Sequence, residues 1–499
     1  MSRISRSIGR SVRIAATCAV IAFGVSGSVR AQPPKVDPME LAPSEIELRK
    51  RLGPLLPSIR AALQSDNADA QRAALAIVAD FPPGLAADAN LAAPLTTFLQ
   101  RDLKDPELIA LGLRSYGRID PDPAQIGKVV GRYSKSEHAI VRRAAAESLA
   151  AALQNSVPSE RAVAKATKFI DVAKQALPLI GEALGDTDGA TQRAALDGVA
   201  TTAKVLTDLY VFDAPVEGDE AKPKDKNDRL APLAPVLKEL VNIVPKLAAP
   251  FTAPDVETRL AAARILDSMG ALRRVVISAP GSGSSPFAEG WPALRPAVTA
   301  RMKDPSPAVR LAVTEALESL GDALEARELL REGTTDRSPF VRWAAARALG
   351  RSAPAKADPT VYAPDVAAVA RLVGDTDADV RTAALTALAR FGTAAQSATP
   401  AVLGAVTRGD VEPRVAAVKA LSALESPPET TVPVLILALG DRDLRLRRAA
   451  AAGLVRFGPA ARGALPQLRT AVVDPDPELR LAAAEAILAI ERTTRVKDL

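Results

Sequence analysis

The 499-residue chain is predicted to be an all-α solenoid of about eleven two-helix repeats. Three observations predict it. The stretch Gly374–Gly392, GDTDADVRTAALTALARFG, returns as GDRDLRLRRAAAAGLVRFG at Gly440–Gly458 and as TDRSPFVRWAAARALG at Thr335–Gly350. Within that stretch Val380, Ala383, Ala384, Ala387, Leu388 and Phe391 fall at i, i+3, i+4, i+7, i+8 and i+11, the apolar face of one helix. The unit also keeps register. The residue before the recurrent arginine, used here as a marker, stands at Ala70, Leu108, Val141, Thr191, Thr258, Val309, Val341, Val380, Pro413, Leu446 and Leu479. One such helix cannot bury its face alone, whereas stacked copies bury a continuous core.

In the Gly374–Gly392 stretch the second helix opens after an aspartate. Asp377 is placed to cap the free N–H groups of its first turn, and Gly392 supplies the positive φ that ends many helices. The apolar face is mostly alanine, so neighbouring backbones approach closely. A first helix precedes it, with proline 13 residues before the marker at Pro57, Pro178, Pro245, Pro296, Pro400, Pro433 and Pro466. Proline removes a helical hydrogen bond and bends the helix, so a bend is expected at the same place in each of these units. An aspartate stands five before the marker at Asp186, Asp304, Asp336, Asp375, Asp441 and Asp474. An arginine follows the marker at Arg142, Arg259, Arg310, Arg342, Arg381, Arg414, Arg447 and Arg480.

Proline in the first helix, aspartate in the turn and Val-Arg opening the second helix together resemble the HEAT repeat. The alanine-rich form resembles the phycobilin-lyase type of HEAT-like repeat. The resemblance covers residues 41–491, strongest from Pro296 onward and weaker before Val141, where Gln71 and Ile109 replace the arginine. It implies a ladder of hydrogen bonds along the stack, carried here by Asp304 and Arg310, Asp336 and Arg342, Asp375 and Arg381, Asp441 and Arg447, and Asp474 and Arg480. Arg408 occupies the aspartate position of the Arg414 unit, so an interruption of the ladder is expected there. The family's best-known activity, chromophore attachment, makes an enzyme or enzyme subunit the alternative function.

Residues 1–31 read as a signal peptide. Arg3, Arg6, Arg10 and Arg13 precede an apolar run from Ile14 to Val25, and Val29-Arg30-Ala31 resembles a cleavage site. The run is short for a membrane span. Cleavage after Ala31 and export to the periplasm or beyond are expected, leaving no stable membrane span. The whole chain carries 64 basic and 58 acidic residues; losing the five arginines of the signal segment leaves 59 against 58, a net of +1. A near-neutral protein has no general electrostatic attraction to nucleic acid. Cys18, the only cysteine, leaves with the signal, so no disulfide or thiolate remains.

Residues 32–40 form a proline-containing lead-in, and 492–499 a polar tail. Between them the spacing from a marker to the next bend is 20 residues in a regular unit, as from Leu446 to Pro466. It rises to 37, 54 and 38 in three consecutive units. The insertions fall near 156–172, 211–231 and 275–290, all between a second helix and the next first helix, so they are expected to share one edge. Ser159–Leu179 reads as helix; Asp213–Arg229 and Ser278–Gly290 read as loops. Tyr210, Phe212, Phe287 and Trp291 flank them in a chain with 3% aromatics and are the candidate partner-binding residues, with core filling at irregular joints as the equal alternative.

No catalytic, cofactor or metal site is assigned. His138, the single histidine, occupies a turn position, and one imidazole without cysteine does not make a zinc site. Paired acids such as Asp375 with Asp377 and Asp474 with Asp476 recur in repeat after repeat, as caps do and a catalytic pair need not. Gly281–Ser284 lacks the lysine of a phosphate-binding loop. The sequence reading is therefore an exported scaffold for a protein partner, with the edge between about Ser156 and Pro296 forming or gating the site. It leaves the oligomeric state open.

Overall fold

The computed structural model describes residues 53–79, 90–119, 122–212, 229–277, 290–320, 324–354 and 356–491. The signal segment with Cys18, the lead-in, residues 213–228 and 278–289 with Phe287, and the tail lie outside the described residues. Those that are described form helices, turns and connections, with no strand among them. The chain divides into two compact units, Met1–Val298 and Thr299–Leu499.

Helices alternate as the repeat predicts. In the first unit the first helices are α1 (Leu56–Gln64), α3 (Ala92–Gln100), α5 (Pro123–Gly131), α7 (Thr167–Ala183) and α9 (Ala234–Ile243). The second helices are α2 (Ala68–Ala79), α4 (Pro106–Arg118), α6 (Ala139–Asn155), α8 (Gly189–Phe212) and α10 (Val256–Ile277). Helix α11 (Trp291–Arg301) then leads to the second helix α12 (Pro307–Leu320). It is followed by the pairs α13 (Leu324–Gly333) and α14 (Pro339–Arg351), α15 (Pro359–Arg371) and α16 (Ala378–Phe391), and α17 (Thr399–Val406) and α18 (Val411–Ala423). The last are α19 (Pro428–Leu439) and α20 (Leu444–Leu454), then α21 (Leu465–Ala471) and α22 (Pro477–Glu491). Within each unit second helices stack on second helices, while first helices form the other layer. The all-α solenoid predicted from the periodicity is the fold found.

The recurrent proline acts in two ways. Pro178, Pro296 and Pro433 lie inside α7, α11 and α19. Pro57, Pro400 and Pro466 instead occupy the first two positions of α1, α17 and α21, each preceded by a 3-10 segment. Pro245 sits in a 3-10 turn, Val244–Leu247, which follows α9. Proline lacks an N–H and fits the first turn of a helix, where that donor has no partner. The first helix therefore starts afresh at the proline in these units.

The second helices bury more than one stripe. In α16 Val380, Ala384, Ala387, Leu388 and Phe391 are buried as the spacing predicts, but so is Leu385, while Ala383 is only half-buried. A helix within a stack is covered by its own first helix and by the second helices before and after it, so its buried arc is wide. Close approach sets the stacking distance. A Cβ on Gly117 would lie 2.4 Å from the backbone oxygen of Ser148, and one on Gly350 would lie 2.6 Å from Cα and Cβ of Ala387. Asp377 caps α16 by accepting from the N–H groups of Asp379 and Val380, and Gly392 and Gly458 carry φ of 57° and 48° after α16 and α20.

The arginine ladder is present, with a correction to its pairing. Within a unit the arginine does not meet the carboxylate: Arg310 Nη1 donates to the Asp304 backbone oxygen (2.8 Å), and Arg342 Nη1 to that of Asp336 (2.9 Å). Arg381, Arg447 and Arg480 donate in the same way to the carbonyls of Asp375, Asp441 and Asp474. The carboxylate belongs to the next unit. Arg310 Nε and Nη2 donate to Asp336 at 2.7 and 2.9 Å, and Arg342 to Asp375 at 2.7 and 2.8 Å. Arg142 makes the same fork with Asp186, and Arg447 lies 3.6 Å from Asp474. Each aspartate also accepts from the N–H two residues on, as Asp336 does from Ser338 (2.7 Å).

The expected interruption does not occur. Asp410, two residues past Arg408, takes the guanidinium of Arg381, and Arg414 pairs onward with Asp441. A long side chain reaches a carboxylate displaced by half a turn. Where glutamine replaces the arginine, the rung shifts instead. Gln71 and Gln192 still hold their own turns through the Ser65 and Asp186 carbonyls, while Arg72 and Arg193, one residue later, reach Asp105 and Asp255. Arg143 with Asp188 and Arg448 with Asp476 repeat this second rung beside the first.

Gly350→Ala should lower stability by about 1–3 kcal/mol through overpacking. Gly404→Ala, at an exposed position of α17 where nothing lies within 4 Å, should raise it by about 0.5–1 kcal/mol through helix propensity; chemical denaturation of the two variants would show opposite signs.

The ladder also predicts a pH dependence. Burial pushes the Asp336 carboxyl up, but the bonds from Arg310 and the Ser338 N–H with the Arg310 charge outweigh it, and the balance is lowered. The Asp186 and Asp375 carboxyls are lowered in the same way. A folded-state value below the unfolded one gives stability that is complete above the ordinary carboxylate range and lost as pH falls through the lowered value. Asp336→Ala, which leaves the buried Arg310 without its carboxylate, should cost about 3 kcal/mol at neutral pH and flatten the acid-side loss. Parallel pH profiles for the two proteins, followed by helical signal in denaturant, would contradict this.

Candidate interaction surface

With the rungs and the small-residue contacts occupied by stacking, the second-helix surface and the edge carrying the insertions remain for partners. The edge is built from long helices. α6, α8 and α10 have 17, 24 and 22 residues, against 13, 14, 13 and 11 in α14, α16, α18 and α20. They stack in that order, so the extra turns at their C-terminal ends stand side by side. The insertions thus begin as prolonged second helices. The helical reading of Ser159–Leu179 corresponds to a 3-10 turn, Val163–Lys165, followed by α7.

The aromatic residues divide at this edge. Tyr210 is buried and Trp291 half-buried, and burial pushes the Tyr210 hydroxyl up. Phe212 ends α8 with 51% of its surface exposed, beside Val211 at 46%. The Arg161 guanidinium lies 4.6 Å from the Phe212 ring centroid, a distance at which a cation is attracted to the ring face. Arg161 belongs to the first insertion and Phe212 to the start of the second, so these two meet. Gly290, at the end of the third, packs against Val244 and Pro245, where a Cβ would lie 2.8 Å from the valine.

The face of α8 carries an acid in an unusual setting. Burial pushes the Asp197 carboxyl up, opposed by Arg193 one turn earlier, although the residue is exposed. His138 sits in the turn before α6, its Nε2 3.4 Å from Glu137 and its side chain half-exposed. Among the described residues there is no group of three metal-binding side chains, and no helix is long and apolar enough to cross a membrane.

In the second unit the surface residues of α14 make one stripe. Phe340, Trp343, Arg347 and Arg351 fall at i, i+3, i+7 and i+11; Phe340 is 69% exposed. The Arg347 guanidinium lies 4.4 Å from the Trp343 ring centroid. Glu318 accepts from Arg347 at 3.0 Å and also pairs with Arg351. Trp343, Arg347 and Arg351 form one wall of a cleft of about 280 Å³, and Asp379 and Arg390 of α16 line the other side. The sequence reading missed this stripe. Its signal was present in the spacing of two aromatics on one helix, but Trp343 occupies a position where other units carry arginine, threonine or leucine, and it read as part of the repeat.

The geometry is that of stacked helical hairpins with Arg–Asp rungs between turns. Residues 294–363 and 432–499 match the family model for HEAT repeats. The first HEAT stretch runs from α11 into α15 and the second from α19 to the end of the chain. Among solved structures, an engineered protein from the Northeast Structural Genomics Consortium is similar at 17% identity and a TM-score of 0.47, over 87% of this chain and 98% of that one. A mutant of Kap121p is similar at 12% identity and a TM-score of 0.40, over 96% of this chain and 53% of that one. A second engineered protein from the same consortium is similar at 20% identity and a TM-score of 0.30, over 50% of this chain and 96% of that one. No curated protein matches the chain.

Proposed function

We propose that this is an exported HEAT-repeat scaffold that binds a protein partner through its solenoid surface, with the edge built by α6, α8 and α10 forming the site. One observation carries the reading: α8 is prolonged to end in Val211 and Phe212, exposed and apolar, with Arg161 of the neighbouring insertion over the ring. An aromatic residue and an arginine together at a surface are typical interface anchors. The prolonged turns go beyond what closing the repeat requires, since the units of α14 to α20 stack with shorter second helices.

Export rests on the signal-like residues 1–31, and the phycobilin-lyase-type subfamily rests on the alanine-rich second helices. An absorbance spectrum of the purified protein tests the lyase reading: a bound pigment would move the assignment toward chromophore attachment.

The partner site is tested by capture from envelope extracts, comparing residues 32–499 with a form lacking Asp213–Arg229 and with Phe212→Ala. Retained helical signal with loss of a partner in both is the expected result. Equal capture by all three would remove the site from this edge.

A further inference from the structure

We propose that the cleft between α14 and α16 docks an extended acidic segment of a partner protein. It uses none of the insertion residues, so it stands apart from the preceding reading. The cleft is built on close packing: Gly350 rests against Ala387, and Ala387 with the half-buried Ala383 makes an apolar floor. Trp343 stands half-buried on one wall, its ring held by the Arg347 guanidinium, which Glu318 holds in turn. That network fixes the wall before any partner arrives, and a preorganised wall loses little entropy on binding.

The charges assign the occupant. Three guanidinium groups, of Arg347, Arg351 and Arg390, and one carboxylate, of Asp379, line the cleft. Glu318 already bonds both Arg347 and Arg351, whereas Arg390 is exposed and has no ion-pair partner among the described residues. Arg390 and the end of α14 thus offer donors to a carboxylate at one end of the cleft. Asp379, exposed at the start of α16, offers an acceptor at the other. Arg390 lies eleven residues after Asp379 along the helix, about 16 Å at 1.5 Å per residue. An extended chain covers that in about five residues at about 3.3 Å each.

A peptide fits this polarity. Its acidic side chain meets the arginines, an apolar side chain lies over the alanine floor against Trp343, and a backbone N–H meets Asp379. A nucleic-acid strand repeats its negative charge at every step and would set a phosphate against Asp379 as readily as against Arg390.

The experiment is fluorescence anisotropy with the full chain and three labelled probes: a dodecapeptide of glutamate, serine and leucine, its lysine-for-glutamate counterpart, and a single-stranded deoxythymidine dodecamer. The acidic peptide should bind, and weaken with added salt. Arg390→Glu, which breaks no bond given by the structure, should weaken it about tenfold and improve binding of the lysine peptide. Trp343→Ala should also weaken the acidic peptide, with helical signal as the control for folding. Deleting Asp213–Arg229 should leave all three affinities unchanged, which separates this site from the insertion edge. The proposal is overturned by absence of acidic-peptide binding, by equal binding of both peptides, by an Arg390→Glu protein that binds as the original does, or by tighter binding of the oligonucleotide.

Discussion

The stack depends on an arginine that does two jobs at once. In Arg310 and Arg342 one guanidinium nitrogen closes the turn of its own unit, and the other two form a fork onto an aspartate of the next. A buried charge is costly unless its hydrogen-bonding groups are satisfied. The rigid fork satisfies them with fixed geometry, so the turn and the stacking interface form together. Glutamine has an amide that can hold the turn carbonyl but no second arm for the carboxylate. Gln71 and Gln192 accordingly keep the first job, and the neighbouring Arg72 and Arg193 take the second. The rung survives because the two positions are adjacent near the start of the same helix.

Small residues set the other constraint. With Gly117 on Ser148 and Gly350 on Ala387, successive second helices approach until backbones touch, while the larger Phe391 meets Tyr362 of its own first helix α15, ring centroids 5.8 Å apart. The insertions leave this stacking in place, since α6, α8 and α10 pack in order although insertions separate them along the chain. This explains how three insertions are accommodated in succession while the helices before them simply grow longer. In a fold of nearest-neighbour contacts, each unit tolerates local change.

Function is left to the positions that neither rung nor packing uses. On α14 these carry Phe340, Trp343, Arg347 and Arg351; on α16 the same register carries Asp379, Thr382, Thr386 and Arg390. A repeat protein thus offers a regular frame on which binding chemistry varies from unit to unit, and an aromatic pair on one helix changes the surface without changing the frame.

The sequence by itself determined the helices, their pairing and their register. Those follow from local rules: apolar spacing around a helix, a capping aspartate such as Asp377, a glycine such as Gly392 able to take positive φ, and a proline at a set distance. It also placed the aspartates and arginines of the ladder correctly on the turns. Only the tertiary structure decided which aspartate each arginine meets, because the distance from Arg310 to Asp304 along the chain says nothing of the distance to Asp336 across the stack. The same holds for Tyr210, Trp291 and Phe212, equal in sequence as rare aromatics near insertions: one is buried, one half-buried and one exposed. Burial and pairing across units are properties of neighbours brought together by stacking, and a single chain read in order carries the repeat but not the contact.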